Sequence, residues 1–140
     1  MVGFDFSMSN RWTGEKSYHY SLHDADYLNP YLHIIQILEP IIPKFDDDCI
    51  IPAYRFGCDD SKDKCVVALN YPDVPDPNFN GFGALKQGYL QAVYNVKMSG
   101  PATFAVMCQR CNWIGRRLLR RQIIQSASAQ SVSVMVHSIR

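Results

Sequence analysis

The sequence predicts an α/β fold, a β-sheet layered with helices, and three observations predict it. A short apolar run, Met1-Val2-Gly3-Phe4, is closed by Asp5-Phe6-Ser7-Met8-Ser9, in which a carboxylate and two hydroxyls alternate. Two later apolar runs, residues 49–57 and 65–69, have the composition and length of strands. Segments after the first run and after the third carry apolar residues at helical spacing. The resulting order is strand, helix, strand, strand, helix, loop, helix, which suits a layered α/β domain.

If residues 1–4 end a buried strand that stays extended, a period of two directs Asp5, Ser7 and Ser9 to one side, where their oxygens can converge on an ion. Hard divalent cations take such oxygen ligands, completed by water and by other loops. The same short Asp/Ser stretch also reads as a turn or a helix cap. Asn29-Pro30 is a helix start, with Asn as the cap and Pro in the first turn, and Tyr31, Ile34, Ile35 and Leu38 follow at helical spacing. Pro40 and Pro43 are expected to end that helix, and Asp46-Asp47-Asp48 to form a turn that is also a conceivable ion site.

Residues 49–57 form the next strand, although Pro52 removes one ladder donor. The polar connection at residues 58–64 is short, so 65–69 should pair with it antiparallel. Residues 71–80, with three prolines, read as a loop. Phe82, Leu85, Tyr89, Ala92, Val93 and Val96 lie on one helix face from Gly81, Ser99-Gly100-Pro101 breaks that helix, and Thr103 opens another. Ligands in such sheets sit outside the carboxyl ends of parallel strands, where Asp5, Ser7 and Ser9 would fall.

The 140 residues, 47% of them apolar and 19% charged, suit a single globular unit rather than a disordered chain. No apolar run is long enough to cross a bilayer, and residues 1–30 lack a secretory pattern. The expectation is a cytoplasmic protein, with the nucleus or the inner face of the plasma membrane as alternatives. Its five cysteines are expected to be reduced. The net charge of +1 conceals an asymmetry. All thirteen acids precede residue 100, where only eight Lys and Arg offset them, whereas the last forty residues hold six arginines and no acid.

Several short motifs together resemble the copine-type von Willebrand factor A domain. They are residues 2–10, Ser21-Leu22-His23, Asn29-Pro30-Tyr31, Ile51-Pro52-Ala53-Tyr54-Arg55-Phe56-Gly57, Asn80-Gly81-Phe82 and Gly100-Pro101-Ala102-Thr103-Phe104-Ala105. Order and spacing match as well, over residues 2–107. Arg11-Trp12-Thr13-Gly14 is closer to the plant RING-type ubiquitin ligases that carry this domain than to animal copines.

The resemblance implies a Rossmann-like fold with a mostly parallel sheet, one antiparallel edge strand and helices on both faces. It also implies a metal-ion-dependent adhesion site that holds protein partners through a carboxylate. Ser7 and Ser9 would be direct ligands of Mg2+, or of Mn2+ or Ca2+, while Asp5 would act mainly through water. Two departures make the expected site degenerate and its ion binding weak or absent. The family's threonine follows Gly-Pro directly, but here Ala102 stands there and Thr103 comes one place later. One residue at a helix entry turns a side chain by about 100°, so Thr103 is the displaced fourth metal candidate and is expected to serve as a helix cap. The family's late aspartate has no counterpart, since no acid follows Asp76.

Two segments are therefore expected: residues 1–107 as a partial domain, and 108–140 as a divergent basic segment in which Ser131 to Val136 alternates like a surrogate strand. The break suggests a fragment or an aberrant gene model that lacks half of the sheet and folds only marginally. Cys108-x-x-Cys111 lacks a second pair at zinc spacing. The arginines flanking Leu118-Leu119 read as a solvated helix face, so no nucleic-acid partner is expected. His19, His23, His33 and His137 read as surface or packing residues, and no catalytic residue is assigned. The expected function is a non-catalytic protein-binding module. One alternative is the partner-holding part of a RING-type ubiquitin ligase. The other is a piece of a calcium-dependent, phospholipid-binding copine, in which membrane association would need C2 domains in a longer form.

Overall fold

A computed structural model describes residues 1–44 and 48–115. Strand β1, Val2–Asp5, lies parallel to β2, Ile50–Phe56, in the register Val2 with Ala53 through Asp5 with Phe56. On the other side of β2, two short antiparallel strands sit end to end. β3, Val67–Ala68, pairs with Tyr54 and Arg55, and β4, Asn78–Asn80, pairs with residues 50–52. The antiparallel β2–β3 pair is the one that the short connection predicts. The strand expected over 65–69 contracts to two residues. Beyond Ala68 the chain turns, with the Tyr71 amide donating to the Ala68 carbonyl.

Two expectations are corrected. Residues 71–80 are not wholly a loop, because Asn78–Asn80 adds β4 beside the proline-bearing half of β2. The Asp5 to Ser9 stretch is not continuously extended either. The strand ends at Asp5, Ser7 keeps an extended backbone as a helix N-cap, and helix α1 runs from Met8 to Tyr18. Only Asn10 and Gly14 of α1 are buried. A helix that buries an amide and a glycine has no apolar stripe, so the 3.6-residue period is invisible in its sequence.

Helix α2, Pro30–Leu38, starts as its sequence predicts, with the Asn29 side chain accepting from the Leu32 amide at 2.9 Å. It ends before Pro40, and a single 3-10 turn follows at Ile42–Lys44. Helix α3 spans Gly81–Asn95 and α4 spans Ala105–Gly115. Thr103 lies just ahead of α4, its Oγ1 accepting from the Ala105 amide at 3.2 Å. Asp46, Asp47, Arg116 to Arg121, the 131–136 run and His137 lie outside the described residues, as does the Cys111 side chain.

Alternation along β2 builds two cores. Ile51 and Ala53 face the same side as Val2 and Phe4 of β1, against Tyr31, Leu32 and Ile35 of α2 and Leu85, Tyr89 and Ala92 of α3. Tyr54 and Phe56 face the opposite side with Met1, against Val106 and Met107 of α4. Gly3 allows this second packing, since a Cβ there would collide with the Met107 side chain. Helices thus cover both faces of the sheet. Arg55 is buried, and its guanidinium donates to Asp60 Oδ2 at 2.8 Å and to the Tyr71 carbonyl at 2.5 Å. These bonds tie the loops at both ends of β3 back to β2. No helix among the described residues is long and apolar enough to cross a membrane.

Candidate metal-ion site

Asp5, Ser7 and Ser9 come together at the carboxyl end of β1, although through a helix start rather than through strand alternation. Asp5 Oδ1 accepts from the Ser7 amide at 2.9 Å, which closes an Asx turn and aims the chain into α1. Serine at an N-cap ordinarily spends its hydroxyl on a backbone amide of the first turn. Ser7 does not, and its Oγ lies 2.7 Å from Ser9 Oγ. Two hydroxyl oxygens are thereby held side by side next to a half-buried carboxylate.

These groups form one wall of an open cleft of about 700 Å³. Met8 and Trp12, the latter 65% exposed, extend this wall along α1. The chain leaving α3 makes the opposite wall with Lys97, Met98, Ser99, Pro101 and Ala102. It is strapped to the first wall by backbone bonds, from the Met8 amide to the Ser99 carbonyl at 2.5 Å and from the Ser99 amide to the Phe6 carbonyl at 3.3 Å. Gly57, just beyond the end of β2, packs against Asp5, Ser7 and Ala102. Its φ is +73°, and a Cβ there would stand 2.9 Å from Asp5 Oδ1, 3.0 Å from the Ser7 Cβ and 2.9 Å from the Ala102 Cβ. No side chain fits at this position, and its absence lets the backbone of Gly57 pass close to these three residues. Oxygen-only donors at the wall of an open cleft fit a hard divalent cation.

Ala102 lines this cleft and contributes no oxygen from its side chain. Thr103, the displaced candidate, is not among the lining residues, and its hydroxyl is engaged at the start of α4. The geometry also brings in Asp59, which sequence reasoning did not single out. Its carboxylate lines the cleft, with Lys97 Nζ 3.5 Å from Oδ2 and Ser99 Oγ 3.5 Å from Oδ1. Both charged partners reach solvent, so the pair holds weakly. Its only signal was position, two residues beyond the glycine that ends β2. Among the described residues no three His, Cys, Asp or Glu side chains cluster as metal ligands, so any ion here would depend on hydroxyls and water.

Behind the cleft sits His23, which its sequence context marked only as a packing or surface residue. It is buried, stacked between Phe6 at 4.3 Å and Tyr31 at 4.2 Å. Its Nε2 lies 2.7 Å from the Asp5 carbonyl and its Nδ1 2.8 Å from the Tyr89 hydroxyl. Burial pushes its pKa down to about 4, against a smaller upward pull from the Asp5 carbonyl. Burial likewise raises the Tyr31 and Tyr89 hydroxyls, so both stay protonated.

A parallel β1–β2 pair with helices on both faces, and a carboxylate-and-hydroxyl turn where β1 ends, define a domain of the von Willebrand factor A type. Comparison with known proteins narrows the class: the family described as Copine matches residues 17–135, and the chain belongs to that family. The match begins after the Asp5 to Ser9 turn, so that turn stands on its own geometry, and it continues past residue 107, where the motif resemblance stops. The chain is 38% identical over 108 residues to E3 ubiquitin-protein ligase RGLG1 of Arabidopsis thaliana, covering 75% of this chain and 21% of that protein. It is 37% identical over 112 residues to RGLG5 of the same plant, covering 79% and 25%. It is 32% identical over 113 residues to Copine family protein 2 of Caenorhabditis elegans, covering 79% of this chain and 2% of that protein. The chain thus spans a quarter or less of the length of these relatives.

Proposed function

We propose that this chain is a non-catalytic, protein-binding module of the copine type, acting in the cytoplasm, with a degenerate adhesion-type cation site at Asp5, Ser7 and Ser9. The observation that carries the reading is the pair of hydroxyl oxygens 2.7 Å apart, which line one cleft together with the Asp5 carboxylate. Mg2+ is the first candidate, with Mn2+ or Ca2+ as substitutes; Ser7 and Ser9 would ligate it directly and Asp5 through water. A cation held by few anionic groups keeps its affinity for an outside oxygen, and a partner's carboxylate would supply it. Ala102, which lines the cleft without a side-chain oxygen, makes the binding weak. Calorimetric titration with Mg2+ tests this. A millimolar affinity abolished by Ser7→Ala is expected. A micromolar affinity lost in that variant would show a competent site rather than a degenerate one. No Ser7-dependent heat at any attainable concentration would remove the ion from the reading.

A second reading is that the module holds the substrate or partner of a ubiquitin ligase. It is favoured by relatives that are named E3 ubiquitin-protein ligases, at 37–38% identity. Both readings give this segment the same task, and they differ in what the module would serve.

A further inference from the structure

We infer that Asn10, His23, Tyr31 and Tyr89 are positioning residues that clamp the Asp5 carbonyl and so fix the Asp5–Ser7 turn in a shape able to hold a cation. The inference builds on the cation reading above, and its test is arranged so that the two can fail separately.

The argument begins with hydrogen directions. A carbonyl oxygen only accepts, so at 2.7 Å His23 Nε2 must carry the imidazole proton. Nδ1 is then a bare acceptor, and the Tyr89 hydroxyl donates to it across 2.8 Å, the shorter of its two contacts, with Asn29 Oδ1 as a second acceptor at 3.4 Å. Asn10 Nδ2 gives one proton to the Asp5 carbonyl at 2.9 Å and directs the other at Ser7 Oγ, 3.3 Å away. The single Tyr31 hydroxyl proton is shared between the Asp5 carbonyl at 3.3 Å and Asn10 Oδ1 at 3.2 Å.

Three donors therefore converge on one carbonyl that has two lone pairs, which is more than burial requires. They come from α1, from the connection between α1 and α2, and from α2 itself, while α3 sets the tautomer through Tyr89. All four side chains are buried. Four buried polar side chains in an otherwise apolar core are costly unless their bonds are all made. The carbonyl they serve belongs to the residue that carries the candidate carboxylate. Asn10 goes one step further, because its second proton occupies one side of Ser7 Oγ and leaves the other side toward Ser9 and the cleft. Outer hydrogen bonds of this kind orient metal ligands in general.

The test uses the full chain, labelled with 15N and 13C, in chelator at neutral pH. His23 is expected as the neutral Nε2–H tautomer. Tyr89→Phe keeps the ring and removes the donor to Nδ1, so the tautomers should mix and the Asp5 carbonyl and Ser7 amide signals should move. Asn10→Ala should move the same two signals. Ile51→Val, a core change of small cost at the far end of β2, should leave them in place. With Mg2+ alone as the probe, both positioning variants should bind about tenfold more weakly, and Ile51→Val as the parent does. A wild-type Nδ1–H tautomer would overturn the inference, as would equal movement of the Asp5 and Ser7 signals in Tyr89→Phe and Ile51→Val. If the parent chain binds no Mg2+, the cation reading falls and the cation-free signals alone decide whether the clamp exists.

Discussion

At the scale of single residues, Ala102 is the informative position. Its side chain lines the cleft and its Cβ lies close over Gly57, so Ala102→Thr would bring a hydroxyl to the wall facing Ser7 and Ser9. Tighter Mg2+ binding than the parent, read by calorimetry, is the expected outcome. Thr103→Ala should leave that affinity unchanged and cost about 0.5–1 kcal/mol in thermal unfolding, since its hydroxyl only serves the Ala105 amide. Gly57→Ala should do both kinds of harm. Its backbone lies in the left-handed region and its Cβ would press on Asp5 and Ser7, so a loss of roughly 1–3 kcal/mol and of any Ser7-dependent Mg2+ heat is expected. Asp5, Ser7 and Ser9 were legible in the sequence because their chemistry is contained in five consecutive positions. Asn10, His23 and Asp59 were not, because their roles depend on which carbonyl or cleft the fold brings to them.

At the scale of elements, α1 shows why a helix can be hidden. Its buried face consists of Asn10 and Gly14, and Gly14 is the position against which the returning chain rests. A Cβ there would run into the Tyr20 carbonyl and the Leu22 amide, which are backbone and cannot swing aside. Elsewhere in a helix interior, Gly→Ala commonly adds stability. Gly14→Ala should instead lower it by about 1–3 kcal/mol through overpacking, measured by denaturant unfolding. An unchanged or raised midpoint would mean that the 20–22 segment is not seated on α1. By contrast, α2 and α3 were legible from their caps and apolar spacing, since each lays a stripe of large side chains on the sheet. β4 was hidden by the prolines around it, its three residues being held by pairing with a strand nearly thirty positions earlier.

For the molecule as a whole, the buried imidazole makes stability depend on pH in a defined window. His23 has a folded pKa of about 4, below its ordinary 6.5, so the unfolded chain binds this proton first as pH falls. The stabilisation is full above about pH 6.5, is lost progressively down to about pH 4, and falls no further below that. The gap corresponds to roughly 3 kcal/mol. The groups facing the ring are the protonated Tyr31 and Tyr89 hydroxyls and the Asp5 carbonyl, with the Asp5 carboxylate nearby. In chelator, the parent should therefore lose stability more steeply than His23→Gln between pH 6.5 and 4. Equal slopes would contradict the buried neutral state. The fold class was readable at this scale from the order of elements. The two-sided core was not, because it depends on how residues from opposite ends of the described chain, such as Met1 and Met107, meet across one sheet.

Trp12 gives the cleft an optical property of its own. Its indole stands on the rim, 65% exposed, one helical turn from Met8 and within the same cavity as the paired serines. An indole in water emits at longer wavelength than one covered by a ligand, so a partner that fills the cleft should shift the emission to the blue. The chain has one other tryptophan, Trp113, and a Trp12→Phe comparison would isolate the signal. Occupancy could then be followed in dilute solution with no label attached, and unidentified partners could be screened by colour alone.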